Sequence, residues 1–186
     1  MYVKPLIFNI SRTSLHDGDG VRTVIYFKGC NMRCKWCHNP EGLDVKKEIF
    51  FNRNKCISCG MCVTTCSNIT NIGEINRNLC VCCGKCSENC SAGALTLVGE
   101  EKSVEEIFQA ILKDKEYYDQ SGGGVTLSGG ECMLYPEFVA QLLNKCHSAG
   151  ILMFLCYITL PMNFRSWSIK LKVVFSMVLV LIFIII

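Results

Sequence analysis

Three thiols on one short loop constrain this chain more than any other feature. The stretch Gly29-Cys30-Asn31-Met32-Arg33-Cys34-Lys35-Trp36-Cys37-His38-Asn39-Pro40 places cysteines at C-x3-C-x2-C spacing. It follows directly on residues 21–27, a run rich in β-branched and aromatic residues that reads as a buried strand. The loop therefore hangs from the C-terminal end of that strand, the end at which α/β sheets and barrels bind ligands. Two metal chemistries suit it. Cys30, Cys34 and Cys37 with His38 form an ordinary Cys3His zinc set. The same three thiolates can hold a [4Fe-4S] cubane, whose fourth iron is then open to something other than protein.

The chain has 186 residues, enough for one domain with a sizeable core or a domain plus a small module. Its 15 cysteines cluster at two- and three-residue spacings. The N-terminal Met1-Tyr2-Val3-Lys4-Pro5-Leu6 has no apolar run of secretory-signal length. Metal ligation in a reducing cytoplasm is therefore expected over a disulfide framework. The net charge of +3 is spread along the chain without a Lys/Arg block, which gives no case for nucleic-acid binding.

Downstream of Asn52 one pattern occurs twice: Cys56-x2-Cys59-x2-Cys62-x3-Cys66, then Cys80-x2-Cys83-x2-Cys86-x3-Cys90. This is the two-cluster bacterial ferredoxin spacing, in which the fourth cysteine of each run ligates the other cluster. The spacing assigns Cys56, Cys59, Cys62 and Cys90 to one [4Fe-4S] cluster, and Cys80, Cys83, Cys86 and Cys66 to a second. The alternative, a pair of zinc ribbons, uses C-x2-C pairs separated by long loops. Two departures stand out: Ser67 and Ser91 replace the usual proline after the fourth cysteine, and Cys82 is a ninth thiol outside the spacing.

Ser103-Val104-Glu105-Glu106 is a capping box opening a helix with Val104, Ile107, Phe108, Ile111 and Leu112 at helical spacing. Gly122-Gly123-Gly124 ends it, Val125-Thr126-Leu127 is a short strand, and Ser128-Gly129-Gly130-Glu131 follows. Pro136 opens a second helix with the stripe Phe138, Val139, Leu142, Leu143 and Cys146, and Gly150 stops it. This strand–helix rhythm predicts a parallel sheet, with the Ser128 segment at the same edge as the three-thiol loop. Glycines there let a ligand approach the backbone, and Glu131 can accept from a ligand ammonium. Residues 151–158 read as a third strand. Beyond it Arg165, Lys170 and Lys172 are the only charges, and residues 173–186 are apolar except for Ser176. That run falls short of the ~20 residues needed to span a bilayer. Residues from 157 on are expected to take no part in the functional fold, with a membrane anchor as the alternative.

Together, residues 14–150 resemble the glycyl-radical-enzyme activating enzymes of the radical S-adenosylmethionine superfamily, in the subgroup with a two-cluster ferredoxin insert. The resemblance rests on Gly20-Val21-Arg22, Phe27-Lys28-Gly29-Cys30, the three-thiol loop through Glu41, both ferredoxin runs, and Gly-Gly-Val-Thr-Leu-Ser-Gly-Gly-Glu from Gly123 to Glu131. It implies an α/β fold: the N-terminal part of a partial (β/α) barrel interrupted by a ferredoxin-like domain. The expected divisions are residues 1–51 and 99–156 for the barrel core, 52–98 for the insert and 157–186 for the tail.

It also implies three [4Fe-4S] clusters and S-adenosylmethionine, cleaved to a 5'-deoxyadenosyl radical that takes hydrogen from a glycine of a partner glycyl radical enzyme. Cys30, Cys34 and Cys37 would hold the catalytic cluster. Trp36, Cys37 and His38 would line the cofactor site, and Ser128, Gly129, Gly130 and Glu131 would bind the cofactor's methionine end. An electron donor such as flavodoxin or ferredoxin would supply the insert. Cys132 stands where the family usually has proline or alanine. Against the family's six or so strand–helix units, the resemblance covers two or three, so a truncated enzyme of weak turnover is expected. The rival reading is an iron–sulfur electron-transfer protein beside a site that binds no cofactor.

Overall fold

The computed structural model describes residues 4–155. The chain begins with strands β1 (Leu6–Ser14), β2 (Arg22–Phe27) and β3 (Glu48–Phe51), then helix α1 (Met61–Thr65). Strands β4 (Ile69–Asn71) and β5 (Glu74–Ile75), helix α2 (Lys85–Glu88) and strands β6 (Leu95–Val98) and β7 (Glu100–Glu101) follow. Helices α3 (Val104–Leu112) and α4 (Lys115–Ser121), strand β8 (Gly124–Gly129), helix α5 (Pro136–Ser148) and strand β9 (Leu152–Leu155) complete a mixed α/β chain. It divides into two compact units, one of residues up to Val45 and from Glu101 onward, the other Lys46–Glu100. The tail from 157 lies outside the described residues, as do the last three positions of the strand expected at 151–158.

In the first unit the sheet order is β7-β1-β2-β8-β9. β1 runs antiparallel to β2, whereas β2, β8 and β9 are mutually parallel, as the strand–helix rhythm predicts. Side chains alternate across the pleat. Ile25 and Phe27 of β2 and Val125 and Leu127 of β8 therefore share one face, buried against Ile107 and Ile111 of α3 and Phe138, Val139 and Leu142 of α5. Each such fully buried side chain contributes about 1.5–3 kcal/mol over an exposed one. On the opposite face Arg22 is fully buried. It donates to Thr126 Oγ1 (2.7 Å) and to the Val125 carbonyl (2.5 Å), and its guanidinium lies 4.0 Å from the centre of the Phe154 ring. Burial lowers its pKa to about 10, leaving it charged at neutral pH.

The helix ends follow their sequence signals. Ser103 Oγ accepts from the Glu106 N–H (3.2 Å) and Glu106 accepts in return from the Ser103 N–H (2.7 Å), the two halves of the capping box. Pro136 occupies the first turn of α5. At the other end Ile151 N–H reaches the Cys146 carbonyl (2.9 Å) and Gly150 N–H the His147 carbonyl (3.0 Å), with Gly150 at φ +71°. These two bonds make a Schellman motif. The helix expected to run from 103 to 121 is instead two, because Asp114 turns inward. Its buried carboxylate takes Thr23 Oγ1–H (2.7 Å) and a forked donation from Arg12, and its backbone carbonyl starts α4. Strand β8 also runs further than expected, so Ser128 and Gly129 lie within it, paired with Tyr26 and Phe27.

The second unit has a much smaller core: Ile49, Ile69, Cys86 and Leu95, with Cys62, Cys66, Cys80 and Cys90 packed around it. β3 and β6 pair antiparallel, Ile49 opposite Leu97, so this unit draws in residues 48–51, upstream of the insert expected at 52–98. The internal repeat reaches beyond the thiols. Asn52 and Asn76 each accept from the N–H two residues on, at 3.0 and 3.2 Å, and each thereby sets the turn before the first cysteine of its run. Ser58 and Cys82 both adopt positive φ (+58° and +50°), and Gly60 and Gly84 (+75° and +84°) cap α1 and α2. A core this small is of the kind that bound metal stabilises.

Candidate functional site

Three backbone segments fuse at the C-terminal edge of β2 and β8. Gly130 N–H donates to the Phe27 carbonyl (2.7 Å) and Glu131 N–H to the Gly29 carbonyl (2.8 Å). From the other side Gly29 N–H reaches the Gly42 carbonyl (2.8 Å) and Cys30 N–H the Leu43 carbonyl (3.2 Å). The approach is so close that a Cβ on Gly130 would stand 2.1 Å from the Gly29 oxygen, and one on Gly42 would stand 2.8 Å from the Gly130 nitrogen. Lys28, fully buried, donates from Nζ to the Glu41 carbonyl (2.8 Å), and Tyr135 Oη–H donates to the Lys28 carbonyl (2.9 Å). Both ends of the three-thiol loop are thereby pinned to the sheet edge that carries the Ser128–Glu131 motif.

On this frame Cys30, Cys34 and Cys37 are half-buried free thiols. Met32 N–H donates to Cys30 Sγ (3.4 Å), and Cys37 N–H to the Cys34 carbonyl (3.2 Å). Trp36 is 72% exposed and His38 is also exposed, both available to a ligand over the loop. Ser128 is half-buried, whereas Gly129, Gly130 and Glu131 are buried. Glu131 accepts from Met133 N–H (3.0 Å), and burial raises its carboxyl above the usual range. The motif glycines meet backbone at their α-carbons: a Cβ on Gly129 would stand 2.6 Å from Phe27 main-chain atoms. Their first service is to let two loops and a strand end meet.

In the second unit one hollow is lined by Cys56, Cys59, Cys62 and Cys90 together with Phe51 and Leu95. It gathers the four thiols that the spacing assigns to one cluster, including the crossover Cys90. Ala94 N–H donates to Cys90 Sγ (3.3 Å), and backbone N–H groups of residues 92–95, Leu95 foremost, hold the Cys90 thiol below its usual pKa. Ser58 N–H donates to Cys56 Sγ (3.4 Å). Of the other four thiols, Cys66 and Cys80 pack with Cys86 in the unit's small core, and the Cys86 thiol is pushed above its usual pKa first by burial and then by the neighbouring Cys66, Cys80 and Cys83. Thiolate donors in fours, with N–H groups aimed at sulfur, suit an iron–sulfur cubane. Among the described residues no group of three or more His, Cys, Asp or Glu side chains is drawn together closely enough to hold a single metal ion.

Sequence reasoning includes Lys28 within the Phe27–Cys30 match but gives it no role, and it does not single out Gly42 or Tyr135; these three build the frame. Lys28 continues an apolar strand and Tyr135 opens a helix, so neither carries a local signal.

A family model described as "4Fe-4S single cluster domain" matches residues 16–170. Among curated relatives, the choline trimethylamine-lyase activating enzyme of Oleidesulfovibrio alaskensis is 44% identical over 156 residues, covering 80% of this chain and 50% of the relative. The benzylsuccinate synthase activating enzyme of Thauera aromatica is 45% identical over 157 residues, covering 79% and 47%. The trans-4-hydroxy-L-proline dehydratase activating enzyme of Clostridioides difficile is 45% identical over 155 residues, covering 80% and 51%. The chain thus spans about half the length of the curated relatives it matches. The matched region contains the three-thiol loop, both four-cysteine runs and the Ser128–Glu131 motif. The chain belongs to the 4Fe-4S single cluster domain family, and over about half their length it is similar to curated activating enzymes of a lyase, a synthase and a dehydratase.

Proposed function

We propose that this chain forms the cluster- and cofactor-binding part of a radical S-adenosylmethionine activating enzyme: the N-terminal section of a partial barrel carrying a two-cluster ferredoxin insert. The observation that carries the reading is the fusion of the two sheet-edge loops. Gly130 and Glu131 donate to Phe27 and Gly29, so a ligand held over the thiol loop also lies against the Ser128–Glu131 segment.

Cys30, Cys34 and Cys37 hold one [4Fe-4S] cluster, and three protein thiolates leave its fourth iron to a ligand. S-adenosylmethionine bound there would supply, on one-electron reduction, the radical chemistry that takes hydrogen from a backbone glycine of a partner glycyl radical enzyme. The chain's own residues bind and orient. Lys28 and Tyr135 fix the loop ends, Trp36, Cys37 and His38 flank the cofactor, and Ser128, Gly129, Gly130 and Glu131 receive its methionine end. The buried Glu131 carboxylate is suited to an ammonium, because it has few competing donors and little water around it. Cys56, Cys59, Cys62 and Cys90, with Cys80, Cys83, Cys86 and Cys66, would hold two further clusters and so supply a route for electrons from a flavodoxin or ferredoxin. Oxygen-sensitive thiolate clusters suit a reducing cytoplasm. Among the described residues no helix is long and apolar enough to cross a membrane.

The test is cleavage of S-adenosylmethionine to methionine and 5'-deoxyadenosine by the anaerobically reconstituted chain under strong reductant. Activity that Cys34→Ala abolishes is expected. Iron-loaded chain that neither cleaves nor binds the cofactor would leave the electron-transfer reading, to which the complete thiol sets of the insert already lend themselves.

A further inference from the structure

Cys82 is the thiol of the insert that neither four-cysteine run uses. The two runs are conformational copies, matching in the Asn52 and Asn76 turns, in the left-handed residues Ser58 and Cys82, and in the left-handed Gly60 and Gly84 that open the helices. The second of the two residues between the first two cysteines of each run, Ser58 or Cys82, therefore stands in the same place in both. In the first run it carries a hydroxyl and in the second a thiol. The thiol is half-buried, and its Sγ lies 3.9 Å from the Sγ of Cys80. It donates to the Lys47 carbonyl at 3.0 Å.

We propose that Cys82 is a spare ligand for the iron that Cys80 holds, so that the second insert cluster, unlike the first, can exchange one thiolate for another without losing iron. This rests on the cluster reading above. In the exchange the Fe–S bond to Cys80 breaks and an Fe–S bond to Cys82 forms. The proton of the Cys82 thiol passes to the departing Cys80 thiolate, and no iron or sulfide changes oxidation state. Thiolate is the ligating form of cysteine, so this proton transfer is all the exchange requires. At the first cluster Ser58 offers only a hydroxyl, a harder and less acidic donor that iron–sulfur clusters seldom use.

The experiment compares iron and sulfide content, and the electron paramagnetic resonance of the reduced and oxidised clusters, in full-length chains reconstituted anaerobically. Cys80→Ala is expected to keep the wild-type iron content, while Cys80→Ala/Cys82→Ala yields a three-iron cluster or an empty second site. Cys56→Ala is expected to lose iron at the first site, and Cys56→Ala/Ser58→Cys to recover it. Equal iron loss in Cys80→Ala and Cys80→Ala/Cys82→Ala, with no recovery in Cys56→Ala/Ser58→Cys, overturns the proposal while leaving the cluster reading intact. A wild-type chain that takes up no iron in the insert overturns both. The gain expected of Cys56→Ala/Ser58→Cys keeps the test independent of whether Cys80→Ala alone folds.

Discussion

Gly130 lies so near Gly29 that a Cβ on Gly130 would stand 2.1 Å from the Gly29 carbonyl oxygen. Both atoms belong to backbone held by ladder-like hydrogen bonds, so neither can give way cheaply. Gly130→Ala is therefore expected to part the two loops, destabilising the first unit by about 1–3 kcal/mol, the usual range of overpacking. Gly150→Ala, by contrast, meets open space and only the strain of φ +71°, at about 1 kcal/mol. Thermal unfolding of the two variants should rank them in that order, and only Gly130→Ala should also abolish cofactor binding. Retained binding in Gly130→Ala would contradict the fused-edge account.

Asp114 ties the α3–α4 break to the sheet through Thr23 and Arg12, and Tyr118 Oη–H adds a 2.6 Å bond to Thr23. Asp114→Ala leaves Thr23 and Tyr118 buried beside a missing acceptor, and should lower stability by about 1–3 kcal/mol. The Arg12 bond, first, and then the Thr23 bond hold the Asp114 carboxyl below its ordinary value despite burial. Its stabilisation is therefore complete above the unfolded carboxyl pKa, about 3.9, and is lost only as pH falls through the lower folded value. The stability gap between wild type and Asp114→Asn should be constant from about pH 8 to about pH 5 and narrow only below about pH 4. A gap that changes near neutral pH would assign the effect to another group.

Lys28 bonds the far end of the thiol loop from a buried position. Lys28→Met keeps the stem volume and removes the donor to Glu41. The expected result is loss of the loop cluster, about four irons per chain, with the insert's iron retained. Full iron content with an unchanged response to S-adenosylmethionine would refute the positioning role.

The division of labour among the clusters is tested by rescue. Cys34→Ala should abolish cofactor cleavage even with a strong chemical reductant, because no iron remains in place to bind the cofactor. Cys59→Ala removes a ligand from the insert alone and should regain part of its activity when that reductant bypasses the insert. Equal, unrescued loss in both would mean that the insert's clusters fold the chain as a unit.

Much of this was legible because some residues declare themselves locally. Ser103 with Glu106, Pro136 and Gly150 bounded helices, and the alternation of strand and helix put the thiol loop and the Ser128 motif at one edge. What stayed hidden depends on partners far along the chain. Asp114 falls inside the helix expected from Ser103 onward, and the Arg12 that closes on it is 102 residues away. Ser128 and Gly129 read as a loop because glycine usually marks a turn, whereas pairing with Tyr26 and Phe27 holds them in β8. The same pairing explains why Gly129 and Gly130 are glycines, a reason that no single segment contains. In the insert, Ile49 could not be assigned without Leu97, its partner across the whole four-cysteine repeat.

The most direct test of the central claim is the electron paramagnetic resonance spectrum of the dithionite-reduced chain, reconstituted anaerobically to about twelve irons, before and after addition of S-adenosylmethionine. The account predicts that one cluster signal shifts on addition of the cofactor while the insert signals stay put, and that Cys34→Ala loses the shifting signal alone. A spectrum that does not respond to the cofactor at full iron occupancy, or a chain that retains stoichiometric zinc and no cluster signal, would contradict it.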